Sequence, residues 1–415
     1  MSVNKNILIN FNLYDKFIST FKEEDIKLLL SLKMMYSIHM ENNKDKLGFK
    51  EYAKQGFRFL LKFMAIPFFK IFILDSNKVA IIKNSSIEEE ISKMYEFSLV
   101  DFQWKLNFNN KFLLIYKRLF KSIYQLYKSS ELNKKYIFML AHRLIDYLMV
   151  YHTIDINNIK ILLVENDRHP QNLALVHLFK DKELRTIKYD NWLIDSINHN
   201  DIYCEEYFYP SLYHKRIIES FDSNKELIYH KGGFLNWDKL KKYSYIPKKN
   251  SVVVIYFTQF GIDKKEYLQY IHDIDKILAK LYSKYVLRIK VHPRENIDKY
   301  KIELEQNKKI SIIDNTVNNY ELISQANFCF SVFSTISLEA KHIMENSYFI
   351  NYNYQNFDIV DYNSIGLDLI DGIDTLETVL NKKNIPISKD NFIEKNNCSY
   401  PYSSKNLFEL VSNDK

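Results

Sequence analysis

Two short stretches of this sequence carry residue types that are suited to binding a phosphate. In the first, RIKVHPRE, an apolar run ends in Lys290, His292 and Pro293. Proline has no N–H for a strand ladder and keeps the residue before it extended. We therefore expect the strand to stop here, with the His292 imidazole at the edge of a sheet. Lys290 should lie on the same side, because strand residues two apart share a face.

The second stretch, FSVFSTISLEA, changes from strand to helix at Ser334 and Thr335. Small hydroxyl residues cap helices, and the free N–H groups and positive dipole end of a helix attract anions. Plain capping accounts for such residues equally well. Taken together with the first stretch, the pattern indicates a phosphate held at the helix start, which His292 could bridge or protonate.

Both stretches belong to a regular alternation of strands and helices that begins after residue 246. The strands are VVVIYF, YVLRIKVH, ISIID, FCFSVF and SYFINYN. Between them lie the helical segments EYLQYIHDIDKILAKLY, a segment from about Asp298, NNYELISQA and STISLEAKHIM. This alternation predicts a doubly wound parallel sheet. Ligands of such sheets bind beyond the carboxyl ends of the strands, near the point where the strand order reverses. We therefore expect both stretches to border one crevice.

The first half of the chain has a different pattern. Before Ile154 it is mostly helical, with long amphipathic runs such as EDIKLLLSLKMMYSIHM and KKYIFMLAHRLIDYLMVYHTI. The segments IKILLVEND, PQNLALVHLFKD and ELRTIKYDN then predict a βαβ unit, in which His169 and Pro170 begin the helix. Residues 195–238 are expected to be irregular, and YIPKKN is expected to be a hinge.

The length of 415 residues exceeds one ordinary core and suits two domains of about 150 to 200 residues. We predict an N-terminal domain over 1–245, helix-rich to about 155, and a Rossmann-like domain over 246–395. The remaining tail, 396–415, is expected to pack back on the N-terminal domain.

Several function classes are disfavoured by composition. With only seven glycines there is no GxGxxG and no Walker sequence. The three cysteines are far apart and show no CxxC spacing, which disfavours disulfides and zinc sites and fits a reducing cytosol. No signal peptide is expected at the N-terminus. The most apolar stretch, FRFLLKFMAIPFFKIFIL, is interrupted by charges and a proline, so it is a poor membrane span.

The net charge of +7 is modest but unevenly distributed. The segment from Lys111 to Tyr136 contains seven basic residues and one acidic residue, Glu131. The run KFLLIYKRLFKSIYQLYK also has apolar residues at helical spacing. One interpretation is an amphipathic helix with a solvated basic face; the other is a helix that rests on anionic lipid or a lipid-linked substrate. No nucleic-acid recognition motif accompanies it.

The second half of the chain resembles the donor domain of bacterial GT-B glycosyltransferases with an HP motif. That group includes sialyltransferases, polysialyltransferases and CDP-glycerol polymerases of wall teichoic acid. The matching text is RIKVHPRE, then ELISQANFCFSVFSTISLEA, preceded by KGGFLNWDKL and KKNSVVVIYFTQF, and the resemblance covers roughly residues 158–380. It implies an α/β fold of the GT-B type, with two Rossmann-like domains facing a cleft and extra helices in the N-terminal half.

The resemblance also implies roles for individual residues. His292, after Lys290 and before Pro293, would contact the phosphate of a cytidine nucleotide and act on it as a general acid. Ser334 and Thr335 would hold the same phosphate, and Glu321 would lie near the ribose. Glu339 is expected to support the helix end rather than touch ligand.

The acceptor side of the resemblance is less complete. The sialyltransferases deprotonate the acceptor hydroxyl with a carboxylate in an acidic triplet ending in Gly, which is absent here. The nearest match is KYDNW, with Asp190 after the strand RTIKY, and the second candidate is VENDRHP, with Glu165 and Asp167 at the end of the previous strand. We take Asp190 as the preferred base and Asp167 as the alternative, opposite His292 as an inverting displacement requires.

These implications define the expected activity. The resemblance implies an inverting, metal-independent glycosyltransferase that moves a sialic acid-type nonulosonate from a CMP donor to a capsule or lipooligosaccharide acceptor. No acidic pair suitable for a metal accompanies the motifs, so no metal or other cofactor is expected. We expect a cytoplasmic protein, with a glycan or glycolipid partner and a possible contact with the inner membrane. The alternatives are another donor, such as CDP-glycerol, a UDP-sugar or a GDP-sugar, or a GT-B-like binding protein without catalysis.

Overall fold

A computed structural model describes most of the chain. The described residues are 49–72, 79–82, 98–100, 102–128, 137–156, 158–191, 202–220, 226–246, 251–258, 264–304, 307–314, 316–332, 334–352, 362–381 and 389–413. They form two compact units. The C-terminal unit takes its residues from Pro210–Arg216 and Lys231–Asn406, and the N-terminal unit from Ser2–Tyr209, Ile217–His230 and Leu407–Lys415.

The C-terminal unit alternates strands and helices over most of its length. After a 3₁₀ helix (Leu235–Lys242) come β9 (Val252–Phe257), α6 (Lys264–Leu281), β10 (Tyr285–Lys290), α7 (Asp298–Leu304), β11 (Ile310–Ile313), α8 (Asn319–Ser324), β12 (Phe328–Ser331), α9 (Thr335–Ile343), β13 (Ser347–Ile350), α10 (Tyr362–Ile365), β14 (Leu369–Ile370), α11 (Ile373–Asn381) and α12 (Lys389–Asn396).

The strands of this unit form one sheet of six in the order β11-β10-β9-β12-β13-β14. Every neighbouring pair is parallel. Numbered from β9, this is the strand order 3-2-1-4-5-6 of the Rossmann fold, and the order reverses between β9 and β12. Because helices cover both faces of such a sheet, its strands are apolar throughout rather than alternating, which is why VVVIYF and FCFS are nearly continuous hydrophobic runs.

The N-terminal unit contains α1 (Phe49–Ala65), β1 (Phe69–Phe72), β2 (Val79–Ile82), β3 (Ser98–Val100), β4 (Gln103–Leu106), α2 (Phe112–Lys128), α3 (Ile137–Thr153), β5 (Ile161–Val164), α4 (Pro170–Lys180), β6 (Arg185–Tyr189) and β7 (Glu206–Tyr209). Three further elements lie where the chain changes units: α5 (Leu212–Glu219), β8 (Ile228–Lys231) and α13 (Ser403–Ser412).

A second six-stranded sheet has the order β3-β2-β5-β6-β7-β8, in which the pairs from β3 to β7 are parallel. The strands β1 and β4 form a separate antiparallel ribbon. Helix α3 is buried on almost every side because α1, α2 and α4 pack around it. A helix surrounded in this way must be apolar all round, which explains the run IFMLAHRLIDYLMV.

One expectation from the sequence is wrong in this region. Residues 195–238 are not irregular throughout, since β7, α5, β8 and the start of the 3₁₀ helix lie there. The strand β7, EYFY, begins at a charged residue, so no apolar run marks it. Before Ile154 the described chain is mostly helical, as predicted, with α1, α2 and α3, and it also contributes the short strands β2 and β3 to the sheet.

Other expectations are confirmed or remain predictions. Helix α4 begins at Pro170 with His169 as its N-cap, as predicted. The predicted helix EDIKLLLSLKMMYSIHM lies outside the described residues. The predicted domain boundary at 245/246 remains a prediction. Residues 247–250, which follow it, lie outside the described residues as well. The stretch FRFLLKFMAIPFFKIF is divided between α1 and β1, and no helix among the described residues is long and apolar enough to span a bilayer.

Candidate functional site

The histidine of the HP motif lies just beyond the carboxyl end of β10. The strand ends at Lys290, and the chain turns at Pro293 with the N–H of Glu295 bonded to the carbonyl of His292 at 2.9 Å. His292 Nδ1 accepts a hydrogen bond from the backbone N–H of Arg294 at 3.2 Å. The neutral ring must then carry its proton on Nε2, where it can donate.

The charge state of this imidazole follows from its surroundings. Burial lowers the pKa of His292 below its ordinary value, the Glu295 carboxylate acts in the opposite direction, and Arg294 adds to the lowering. At neutral pH the ring is therefore an uncharged N–H donor. A phosphate placed against it would raise its pKa, because a nearby negative charge favours the protonated form.

A small hydrogen-bond network holds the His292 loop in place. Thr258, the residue after β9, accepts the N–H of His292 at 2.9 Å and donates to Glu295 Oε2 at 2.6 Å. The other oxygen of Glu295 accepts from the hydroxyl of Tyr300, in α7, at 3.1 Å. One carboxylate thus joins the end of β9, the loop after β10 and α7.

The second motif lies at the carboxyl end of β12. Ser334 is the N-cap of α9, and its hydroxyl accepts from the N–H of Ile336 at 3.4 Å. Only β9 separates β10 from β12, so the two loops emerge about 10 Å apart, two interstrand spacings, along the same sheet edge. This edge contains the point at which the strand order reverses, where α/β sheets bind ligands.

The acid of the second motif has a structural role, as expected. Glu339 is buried in α9 and accepts from Trp237 Nε1 at 3.2 Å and from the Tyr320 hydroxyl at 2.8 Å. The Thr335 hydroxyl also bonds to it. Burial raises the pKa of Glu339, and these donors and Lys239 oppose the rise. The carboxylate therefore fixes the first turns of α9 against the 3₁₀ helix and α8.

The two remaining donor-side predictions have different surroundings. Lys290 is buried, and its Nζ donates to the carbonyls of Val317, at 3.0 Å, and Asp314. It therefore anchors the loop before α8, and its predicted contact with a donor stays a prediction. Glu321 lies exposed in the first turn of α8, whose N-cap Asn318 accepts from its N–H at 3.4 Å.

The two predicted bases lie together around a buried lysine in the N-terminal unit. The Nζ of Lys188, in β6, is 3.2 Å from Asp190 Oδ1 and 3.5 Å from Asp167 Oδ1. Both carboxylate side chains are fully buried, with exposures of 0%. Burial lowers the pKa of Lys188, but the two carboxylates outweigh this and raise it.

The remaining oxygens of these carboxylates are also engaged. Asp190 Oδ2 accepts from the Tyr207 hydroxyl at 2.7 Å, and Asp167 Oδ2 accepts from the N–H groups of Tyr203 and Cys204 at 2.6 and 3.3 Å. The structure thus shows a structural role for both residues, tying β5, β6 and β7 together. Their catalytic role remains a prediction.

A more accessible carboxylate lies at the same sheet edge. Glu165 directly follows β5 and is partly exposed, with Asn191 Nδ2 3.4 Å from its Oε1. Its backbone carbonyl accepts from Lys188 Nζ at 2.9 Å, so the buried lysine also fixes the position from which Glu165 projects.

No metal centre is visible in the described part of the chain. Among those residues, His, Cys, Asp and Glu side chains form no cluster of three that could hold an ion. The expectation of metal independence is thereby neither supported nor weakened.

Sequence reasoning missed three residues of the HP network: Thr258, Glu295 and Tyr300. Glu295 directly follows the motif in the chain, but only the fold shows its bonds to Thr258 and Tyr300. Nothing local distinguishes such a residue. Lys188, by contrast, had a signal: it lies two residues before Asp190 in a buried strand, and strand residues two apart share a face.

Comparisons with solved structures identify the fold. A protein of Listeria monocytogenes described as a UDP-N-acetylglucosamine 2-epimerase has a TM-score of 0.51 at 11% identity, over 82% of this chain and 96% of that chain. The UDP-GlcNAc 2-epimerase of Methanocaldococcus jannaschii, in complex with UDP-GlcNAc and UDP, has a TM-score of 0.45 at 15% identity, over 80% and 99%. The wall teichoic acid polymerase TagF has a TM-score of 0.46 at 10% identity, over 95% of this chain and 98% of the TagF chain. No protein-family model and no curated protein sequence matches the chain.

The chain has the GT-B fold, an α/β fold with two Rossmann-like domains. At these identities the likeness shows the fold alone. The helices α1, α2 and α3 are the extra helices expected in the N-terminal half.

Proposed function

We propose that this chain is an inverting, metal-independent glycosyltransferase that uses a nucleotide-linked sugar, with a CMP-linked sialic acid-type sugar as the donor we favour. The observation that carries the proposal is the sheet edge of the C-terminal unit. There, a neutral His292 with its proton on Nε2 lies at the same edge as the capped start of α9, beside the reversal of strand order.

This edge is suited to stabilising a leaving phosphate. Helix N–H groups at Ser334 and Thr335 and the imidazole N–H are donors that need no reorganisation when negative charge develops. A CMP leaving group has one phosphate, which one histidine and one helix start can neutralise. CDP-glycerol and UDP-sugars are the alternative donors that the sequence leaves open, so CDP and UDP are the first competitors to test.

The acceptor base belongs, in this proposal, to the carboxyl ends of β5 and β6. Asp190 and Asp167 could serve only if the Lys188 ion pairs open. Glu165 can be reached without that cost, because its side chain is partly exposed, and a base must come within hydrogen-bond reach of the acceptor hydroxyl. We therefore test Glu165, which belongs to the same VENDRHP segment as Asp167, together with the two aspartates.

We further propose a glycan or glycolipid acceptor of the cell surface and a cytoplasmic location with peripheral contact at the inner membrane. A glycolipid acceptor would be available to the protein at that surface.

Nucleotide binding tests the donor site. CMP, CDP, UDP and GDP are titrated by calorimetry into the parent protein and into His292→Ala. We expect CMP to bind most tightly and the variant to lose about tenfold to a hundredfold in affinity, the range for a hydrogen bond to a charged group. His272→Ala, which removes an exposed histidine of α6, is the matched control. If none of the four nucleotides binds, the proposal fails; tighter binding of UDP or CDP changes the donor.

Turnover tests the base. Transfer from a CMP-sugar is measured for Glu165→Gln, Asp190→Asn and Asp167→Asn, with nucleotide affinity as the measure of an intact donor site. We expect the variant of the true base to bind nucleotide normally and lose at least about a hundredfold in rate. Transfer at the parent rate in His292→Ala would contradict the mechanism.

A further inference from the structure

Two helices of the N-terminal unit are apolar on two faces. In α1, Phe59 and Phe63 pack against the core, while Phe57, Leu60, Leu61 and Met64 are exposed by 61%, 49%, 48% and 52%. The exposed residues follow the spacing i, i+3, i+4, i+7, which places them along one stripe of the helix. A core therefore accounts for only one of the two apolar faces.

Helix α2 repeats this arrangement. Its buried face consists of Ile115, Leu119, Ser122 and Leu126. On the outside, Leu113 and Phe120, two turns apart, are exposed by 68% and 56%, and Leu114, Tyr124 and Tyr127 by 40%, 58% and 56%. Leu119 is buried, whereas Leu113, Phe120 and Tyr127 of the same apolar run lie outside.

These exposed residues belong to one continuous surface. The ring centroid of Phe63 in α1 lies 4.7 Å from that of Tyr116 and 5.7 Å from that of Phe120, both in α2. The ribbon joins both helices, since the N–H of Asn107 bonds to the carbonyl of Phe68 at 2.8 Å. Phe68, Leu106 and Phe108 add further exposed apolar groups at 56%, 80% and 64%. We call this set of exposed apolar residues on α1, α2 and the ribbon the apolar-basic surface.

The two segments that carry the exposed apolar residues are rich in basic residues. Residues 54–72 contain four basic residues and 102–128 contain six, and neither range contains an acid. The exposed members are Lys54, Arg58, Lys105, Lys111, Lys117, Arg118, Lys121 and Lys128. Lys62 is committed elsewhere, to the buried Asp146 at 2.5 Å.

We propose that the apolar-basic surface docks the protein on an anionic phospholipid membrane, with the exposed Leu, Met and Phe side chains inserted at the level of the headgroups. Basic residues interleaved with large apolar ones are the signature of an interfacial helix. The uniform positive charge opposes a second copy of the same surface, because like charges would then face each other. Nucleic acid would match the charge but offers little to five exposed leucines and a methionine. The inference holds whether or not the chain is a transferase.

Vesicle sedimentation tests the proposal. The 415-residue chain is mixed with vesicles of phosphatidylcholine, alone or with phosphatidylglycerol, at low and high salt. We expect binding to the mixed vesicles, at least about tenfold weaker binding to phosphatidylcholine alone, and a loss of binding at high salt. No binding to the mixed vesicles, or equal binding to both kinds, overturns the proposal.

Two sets of variants separate insertion from charge. Leu60→Ser, Met64→Ser and Phe120→Ser combined should weaken vesicle binding at least about tenfold, and Lys117→Gln, Lys121→Gln and Lys128→Gln combined about as much. Ile373→Ser, at a side chain 50% exposed in the C-terminal unit, is the control and should bind like the parent. All variants should keep the thermal stability and nucleotide affinity of the parent, so a failure here is distinguishable from failure of the proposed function.

Other occupants give other results. If the serine variants bind vesicles like the parent, lipid insertion is excluded. If, without lipid, the parent is a dimer in analytical ultracentrifugation and the serine variants are monomers, the occupant is a second copy and the proposal is overturned.

Discussion

At the residue scale, the position of His292 depends on a carboxylate that does not belong to the HP motif. Glu295 accepts from Thr258 and Tyr300, and Thr258 accepts the N–H of His292. These are positioning residues, because they act on a phosphate only through the imidazole. Their effect can be separated from that of a general loss of folding by following the histidine itself.

We predict that Thr258→Val and Glu295→Gln each weaken nucleotide binding about fivefold to tenfold, the range for one lost hydrogen bond. Glu295→Gln should also lower the pKa of His292 further, because the Glu295 carboxylate raises that pKa in the parent. Thr258→Val keeps this carboxylate, so it should not lower the pKa of His292 in this way. Calorimetry and NMR titration of the imidazole are the measurements. Thr378→Val, at an exposed threonine of α11, is the control. An unchanged His292 pKa in Glu295→Gln would contradict the coupling.

A second residue-scale prediction concerns Lys188. Replacing it with methionine leaves two buried carboxylates, Asp167 and Asp190, without their cation. Removing one partner of a buried ion pair costs about 3–5 kcal/mol, so Lys188→Met should shift the denaturant midpoint of the N-terminal unit strongly downwards. Lys160→Met, at an exposed lysine just before β5, should have little effect. Equal stability of the two variants would show that the lysine does not hold the carboxylates.

At the element scale, the segment KGGFLNWDKL is explained by what packs against it. The carboxylate of Asp238, in the 3₁₀ helix, accepts from the N–H groups of Ser403 and Ser404 at 3.1 and 2.7 Å and so caps α13. The N–H of Phe234 donates to Asn397 Oδ1 at 3.2 Å. Gly233 packs against the side chains of Asn397 and Ser403: a Cβ at this position would be 1.9 Å from Asn397 Oδ1 and 2.0 Å from Ser403 Oγ.

Gly233→Ala should therefore destabilise the C-terminal unit. Asn397 and Ser403 are fully buried, so neither can move aside without breaking its own hydrogen bonds, and overpacking of this kind costs about 1–3 kcal/mol. The matched control is Gly372→Ala, where an added Cβ meets nothing within 4 Å. Thermal unfolding of both variants is the measurement, and equal melting temperatures would show that the segment can relax.

At the scale of the whole molecule, two histidines of α3, the buried His142 and the half-buried His152, make stability depend on pH. Burial, followed by Lys62 and Arg143, lowers the pKa of His142 to about 3, and burial followed by Arg118 and Lys111 lowers that of His152 to about 4. Unfolded histidine titrates near 6.5. At a pH below 6.5 but above the folded-state pKa values of about 3 and about 4, the unfolded state binds more protons than the folded state. The free energy of unfolding therefore falls as the pH drops below 6.5.

We predict that the free energy of unfolding, measured by denaturant titration, decreases steadily from pH 6.5 to pH 4.5, by at most about 1.4 kcal/mol per pH unit for each histidine. His142→Gln removes one titrating group and should make this dependence shallower. His272→Gln, at an exposed histidine, should leave the slope unchanged. A slope that is the same in His142→Gln and in the parent would show that His142 does not contribute.

Much of the C-terminal unit follows from the sequence alone. Each strand and helix from VVVIYF to SYFINYN was predicted within a few residues, because buried parallel strands and amphipathic helices have distinct periods. The stop of β10 before Pro293 and the cap at Ser334 also follow from local chemistry, since proline lacks an N–H and serine accepts one. By contrast, β14 has two residues, too few for a period to be recognised.

Only the tertiary structure decided which groups meet. Glu295 is 37 residues from Thr258 in the chain, and Asp167 follows β5 whereas Lys188 lies in β6. No local pattern therefore predicts either pair. The same holds for the apolar-basic surface, because two apolar faces on one helix compete for the core and packing selects the one that is buried. The sequence by itself determined the periods, the strand ends and the residue types at the sheet edge. The partners of each charge were decided by the fold, because pairing depends on distance in space.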